Sequence, residues 1–154
     1  MELIGIKTPL INPGDDIVDK ILDAAGDDSI RDRDILVVAS SVVSTARNRK
    51  KNLKDIEPSE LAEELAQESG MDSRFVEIII QESDSILSPG KKCILTIKDG
   101  MMIANAGADQ SNVPDDEVLL LPENLQETAD ELRRELEERT GKKIGIVLAD
   151  STVQ

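Results

Sequence analysis

The chain has 154 residues and a mass of 16.8 kDa, enough for a single folded domain, and its 39% hydrophobic content can supply a core. Its 32 acidic residues against 18 basic ones leave a net charge of -14, which repels nucleic-acid phosphates and anionic membrane surfaces, so neither is expected as a partner. With no His and one Cys, Cys93, the sequence excludes His-dependent triads, His or thiolate zinc sites and internal disulfides, and leaves oxygen chemistry. The lack of Trp and Tyr, with Phe75 in a core pattern, also removes aromatic platforms for stacked bases. No apolar run reaches the roughly 18 residues of a membrane span and the N-terminus lacks a basic leader pattern, which predicts a soluble, cytoplasmic protein.

Taken in chain order, Glu2 to Lys7 predicts a short strand, and Pro13-Gly14-Asp15-Asp16 turns into a helix with Ile17, Val18, Ile21, Leu22 and Ala25 on one face and Gly26 as its stop. Asp34 to Ala39 reads as an apolar strand running into Ser40-Ser41-Val42-Val43-Ser44-Thr45, a functional loop or a second element. Pro58 at a first helical position opens a helix through Leu61, Ala62, Leu65 and Ala66 to Gly70, and Asp72 to Ser83 forms another. Asp99-Gly100 between Lys92–Ile97 and Met101–Ala104 is a hairpin signal. Val118 to Leu121 suggests a strand. Asn124 with Glu127 resembles a capping box opening a helix through Leu125, Ala129, Leu132 and Leu136 to Gly141, and Lys143 to Ala149 is a closing apolar strand. With no repeat and no linker, this order predicts one domain of mixed α and β structure over residues 1–154.

Three places can carry chemistry. Asn105-Ala106-Gly107-Ala108-Asp109-Gln110-Ser111-Asn112 combines small residues, which let a ligand approach the backbone, with oxygen-bearing side chains suited to a hard cation or a polyphosphate held through one. The same residues also make an ordinary polar turn closed by Asx hydrogen bonds. Asp150-Ser151-Thr152 follows an apolar strand, where α/β proteins place ligands and where a helix N-cap is equally at home. Arg47, Arg49, Lys50, Lys51 and Lys54 form a basic patch that suits a phosphate or carboxylate, or a solvated loop balancing acidic surroundings. Neither standard nucleotide fingerprint, the Gly-rich loop ending in Lys-Ser/Thr or the dinucleotide-binding glycine triplet, is present.

The order of these segments resembles the coenzyme F420-0:gamma-glutamyl ligases of archaea and actinobacteria. The likeness runs from Thr8-Pro9-Leu10-Ile11 and Gly14-Asp15-Asp16, through Asp34 to Ser44, Pro58-Ser59 and Val76 to Ser83, to Asn105 through Val113, Leu119-Leu120-Leu121-Pro122, Gly141-Lys142-Lys143 and Asp150-Ser151. The resemblance implies an α+β fold with a largely antiparallel sheet and packed helices, acting as a homodimer. It implies GTP-dependent joining of L-glutamate to a carboxyl group of F420-0, activated as an acyl phosphate, with divalent manganese or magnesium neutralising the phosphates. Asp109, Asp150 and Ser151 match the family's metal positions. Thr8, Pro9, Leu10, Ile11, Ser40, Ser41 and Asn112 match positions near the nucleotide, as does Thr45, which stands where the family usually carries a lysine.

Other departures lie at Ala46 to Arg49, where the family typically shows Glu and Gly, and at Val153-Gln154 in place of a Gly-Arg segment. Family chains continue well beyond this length, so the sequence corresponds to the N-terminal portion of a ligase and is expected to be inactive alone. The alternatives are a diverged, non-catalytic relative that binds nucleotide or metal, and a ligase for another carboxylate acceptor.

Overall fold

In the computed structural model, which describes residues 2–26, 29–111 and 113–150, the first helix is delimited by its own side chains. Helix α1 (Ile17–Ala25) begins where the Asp16 carboxylate accepts the Asp19 N–H at 2.9 Å and ends at Gly26, whose φ of 80° an L side chain resists. Strand β1 (Ile35–Ala39) passes without a loop into helix α2 (Ser40–Ala46), so the polar-apolar stretch after the strand is a second element. The strand expected over Glu2–Lys7 is not there: residues 2–12 hold no regular element and leave Leu3 and Ile4 exposed. Alternation alone makes no strand without a neighbour to take its backbone hydrogen bonds.

Helix α5 (Leu125–Thr140) and strand β7 (Gly145–Ala149) complete the first of two units, Met1–Asn48 with Pro122–Gln154. β7 pairs in parallel with β1, Ile35 opposite Gly145 and Ala39 opposite Ala149. Val38, with Leu36, Ile146 and Leu148, packs from this pair onto Val43 of α2 and Leu132 and Leu136 of α5. The expected capping box at Asn124 takes another form. Asn124 is left-handed (φ 48°), so its amide donates to Glu127 Oε2 at 3.3 Å while the Thr128 hydroxyl donates to the Glu123 carbonyl at 2.9 Å.

The second unit, Arg49–Leu121, joins strand β2 (Lys50–Asn52) through a 3-10 turn to helices α3 (Glu60–Ser69) and α4 (Ser73–Glu82). Ser59 rather than Pro58 starts α3: its hydroxyl accepts the Ala62 N–H at 3.2 Å and donates to Glu77 Oε2 at 2.6 Å, leaving Pro58 before the cap. Strands β3 (Ser85–Gly90), β4 (Cys93–Lys98) and β5 (Met101–Ala104) form an antiparallel meander, closed by Asp99 (φ 51°) and Gly100 (φ 72°) at the expected hairpin. Strand β6 (Glu117–Leu119) pairs antiparallel with β2.

Neither β2 nor β3 is legible as a pattern. β2 reads Lys-Lys-Asn, and β3 contains Pro89 and a register shift between Ile86 and Ser88, so each owes its existence to a partner strand. Val76, Ile78 and Ile79 of α4 meet Ile94 of β4 and Val118 of β6 in this unit's core. The fold class is the expected mixed α and β with antiparallel sheets; the β1–β7 pair adds a parallel element.

Strand β4 also turns two polar side chains inward on the face of Ile94: Thr96, fully buried, and Lys98. The Lys98 ammonium donates to Glu82 Oε2 at 2.8 Å, and Arg49 and Lys51 approach the same carboxylate at 3.0 and 3.4 Å. Burial pushes the Glu82 carboxyl up, but the Lys98 hydrogen bond and the charges of Lys98, Arg49 and Lys51 outweigh it and hold it below the usual carboxylate range. A depressed folded pKa contributes stability that is complete above the unfolded value of about 4.3 and is lost as pH falls through the folded value. Urea unfolding followed from pH 7 downward is therefore expected to hold constant until the carboxylate range and then weaken. Glu82→Gln is expected to cost about 2 kcal/mol at pH 7 and to flatten that acid limb.

Candidate functional site

The hairpin strand β5 delivers the chain into a 3-10 turn, Asn105–Gly107, in which three successive residues are left-handed: Asn105 (φ 53°), Ala106 (φ 52°) and Gly107 (φ 71°). Such a conformation is unfavourable for Asn and Ala, and the surrounding groups compensate for it. Asn105 Oδ1 accepts the Ile94 N–H at 2.8 Å, and the Ala108 N–H reaches back to the Asn105 carbonyl at 2.9 Å. The buried Thr96 hydroxyl accepts the Ala106 N–H at 3.0 Å and donates to the Ile103 carbonyl at 2.7 Å. At Gly107 an added Cβ would lie 2.2 Å from Leu121 Cδ1 and 2.3 Å from its Cγ, so no side chain fits.

The turn hands the chain to Asp109, whose backbone exchanges both hydrogen bonds with Leu119, at 2.9 and 2.8 Å. Its side chain is closed locally: Oδ1 accepts the Ser111 N–H at 2.9 Å and Oδ2 accepts the Ser111 hydroxyl at 2.7 Å. This is the Asx-type turn read from the sequence. Two ordinary hydrogen bonds still leave the carboxylate with lone pairs for a cation. Asn105, counted from the sequence among the oxygen donors, is spent internally on Ile94. Asn112 lies outside the described residues.

In the other unit, register does the positioning. Because Ala39 sits opposite Ala149, Ser40 and Asp150 leave the parallel pair side by side at its carboxyl end, where open α/β sheets bind ligands. Ser40 is buried and Ser41 half-buried in the first turn of α2, while Asp150 is exposed. Thr8, half-buried, with exposed Pro9 and Leu10, lies in the irregular N-terminal segment, and Ile11 packs on this unit's core. The Gly14 N–H, donating to the Ala46 carbonyl at 2.8 Å, ties that segment to the end of α2 beside half-buried Thr45. Ser151 lies outside the described residues.

Thus Ser40, Ser41 and Asp150 share one end of one unit, and Asp109 belongs to the other. Among the described residues no three acidic or cysteine side chains converge into a metal cage. The donors offered are carboxylate and hydroxyl oxygens, a set that fits a hard cation retaining water and phosphate ligands rather than a metal enclosed by protein.

The basic patch resolves into ion pairs. Arg47 donates to Glu131 at 2.7 Å and to the Thr128 hydroxyl at 2.9 Å, Lys50 to Glu117 at 3.1 Å, Lys54 meets Asp116, and Arg49 and Lys51 share Glu82. Sequence reading passed over Thr96, although a hydroxyl in register with Ile94 on a buried strand face is a visible signal of an internal polar contact.

Fold and turn together describe an α+β protein with oxygen donors on a tightly held polar turn and at a strand end. A family model described as F420-0:Gamma-glutamyl ligase matches residues 5–154. Proteins named coenzyme F420:L-glutamate ligase are similar to it: one from Methanopyrus kandleri is 40% identical over 142 residues, covering 92% of this chain and 55% of that protein. One from Methanocaldococcus jannaschii is 34% identical over 152 residues (98% and 60%), and one from Archaeoglobus fulgidus 36% identical over 143 (93% and 56%). The chain belongs to the F420-0:gamma-glutamyl ligase family, and it spans a little over half the length of these relatives.

Gly107→Ala is expected to destabilise the protein by about 2 kcal/mol or more, since it adds a left-handed penalty to a clash with Leu121, read as a lowered urea midpoint. Thr96→Val leaves the Ala106 N–H buried without its acceptor, and is expected to cost about 1–3 kcal/mol in the same measurement, with Thr96→Ser recovering most of it.

Proposed function

We propose that this chain is part of a ligase that joins L-glutamate to the carboxyl group of coenzyme F420-0 as a gamma-glutamyl amide, consuming GTP with the help of Mn2+ or Mg2+. In the proposed reaction the GTP γ-phosphoryl group passes to the acceptor carboxylate, and the glutamate amine then displaces phosphate, leaving GDP, phosphate and the amide. The observation that carries this reading is the register of β1 and β7, which sets Ser40 and Asp150 next to each other at the carboxyl end of a parallel pair in a chain of this family.

Ser40 and Ser41 would donate hydroxyl hydrogens to phosphate oxygens, with Thr8, Pro9, Leu10, Ile11, Thr45 and Asn112 lining the nucleotide. Asp109 and Asp150, with Ser151, would hold the cation, which when bound neutralises phosphate charge. Asp109 is suited to this because the turn behind it fixes its backbone, so little order remains to be imposed on binding. The resemblance extends the proposal to a homodimer in the cytoplasm without nucleic-acid or membrane partners; no helix among the described residues is long and apolar enough to cross a membrane. Because the relatives are longer, turnover is proposed to need the remaining part of a ligase chain.

A second reading, a diverged relative that binds nucleotide without catalysis, is favoured by Thr45 at the family's lysine position and by Arg47 being engaged by Glu131 and Thr128. Calorimetric titration of GTP and ATP, with and without Mn2+, tests the proposal. Metal-dependent GTP binding that falls at least tenfold in Asp109→Asn and in Asp150→Asn is the expected result, and absence of any nucleotide binding by the folded protein would overturn it. Thr45→Lys separates the two readings, since restoring the cation is expected to strengthen GTP binding severalfold in either case but to support amide formation, in a complete ligase, only in the first.

A further inference from the structure

The last residue of β6 is held on both edges. Leu119 pairs with Lys50 of β2 on one side and exchanges both backbone hydrogen bonds with Asp109 on the other. Beyond Leu119 the ladder ends, and the next two residues are taken up by Arg49, the residue just before β2. Its carbonyl accepts the Leu120 N–H at 2.9 Å, and its Nε donates to the Leu121 carbonyl at 3.3 Å. A second nitrogen of the same guanidinium donates to Glu82 Oε2 at 3.0 Å, in an ion pair whose side chains are only 22% and 12% exposed. Leu121 in turn is the wall that fills the space beside Gly107, two residues before Asp109.

Charge balance does not account for an arginine at this place. Lys98 and Lys51 already face Glu82 at 2.8 and 3.4 Å, so the carboxylate has counter-charge without Arg49. What a lysine lacks is a planar fork whose donors reach a carboxylate and a main-chain carbonyl at once, because an ammonium carries all its donors on one nitrogen. We infer that Arg49 is a positioning residue for Asp109: its guanidinium, anchored on Glu82, fixes the main chain at Leu120 and Leu121, and Leu119 and Leu121 then hold the turn that carries Asp109. The inference rests on the reading of Asp109 as a cation ligand, a ligand that Arg49 serves without touching cation or nucleotide.

Amide hydrogen exchange of the whole chain, followed residue by residue, tests it without any ligand. Arg49→Lys keeps a positive charge beside Glu82. It is expected to speed exchange of the Ala106, Asp109 and Leu119 amides at least tenfold, while those of Ile78 and Ile79 in the core of α4 stay at the wild-type rate. A general loss of stability would speed both groups alike. Lys51→Gln, which removes another of the Glu82 cations, is expected to leave the turn amides as they are. Calorimetric titration of GTP in the presence of Mn2+ supplies the second reading: affinity is expected to fall severalfold in Arg49→Lys and to stay at the wild-type value in Lys51→Gln. Exchange that rises uniformly or not at all in Arg49→Lys, an equal rise in Lys51→Gln, or Mn2+-dependent GTP binding that needs Asp109 but is unchanged in Arg49→Lys would overturn the inference. GTP binding that is equal in wild type and Asp109→Asn would overturn the cation reading itself and the functional half of the inference with it, whatever the exchange pattern.

Discussion

The parallel pairing of β1 with β7 is the constraint on which the first unit depends. Parallel strands need a long crossover between them, and here residues 40–144, about two-thirds of the chain, separate the two. Once the register is set, its consequences are fixed. Leu36, Val38, Ile146 and Leu148 turn toward α2 and α5, and Ile35, Val37 and Val147 turn away. Ser40 and Asp150 emerge together at one end. A shift of one residue in either strand would turn the side chains of that strand to the opposite face, because side chains alternate faces along a strand. The same pairing therefore organises a core, an open face and the group of residues to which nucleotide chemistry is assigned.

The second unit solves a different problem, holding an unfavourable backbone steady. Three left-handed residues in a row are stable only because Thr96, Ile94 and Leu121 surround them, and each contributes differently. Thr96 supplies a buried acceptor, Ile94 a backbone donor for Asn105, and Leu121 a wall that admits only glycine. The result is a carboxylate, Asp109, carried on a short segment with both neighbouring backbone groups already committed to Leu119. Preorganisation of this kind lowers the ordering cost of any ligand the carboxylate accepts.

Charge is handled locally in both units. The basic patch of Arg47 to Lys54 sits in a strongly acidic chain, and each of its cations faces a carboxylate, several of them partly buried. Glu82 shows the principle most clearly, with three cations converging on one carboxylate and outweighing the burial that pushes its carboxyl up. What looks in sequence like an anion-binding cluster is largely the internal counter-charge of α4, α5 and β6.

Local rules account for most of what the sequence by itself determined. Both ends of α1, the end of α3 and the start of α4 follow from Asp16, Gly26, Gly70 and Asp72, and the hairpin from Asp99-Gly100, because caps and tight turns depend on a few adjacent residues; the start of α3, expected at Pro58, lies at the Ser59 cap. The mixed α and β class and the family motifs around Asn105 and Asp150 were legible for the same reason. Tertiary structure alone decided the rest. It removed the strand over Glu2–Lys7, which pairs with no strand among the described residues, and made strands of Lys50–Asn52 and Ser85–Gly90, which each have a partner. It also spent Asn105 on a backbone amide and made Thr96 a structural acceptor. Strand pairing and burial are relations between residues far apart in the chain, and no local pattern specifies the neighbour that will supply the missing hydrogen bond.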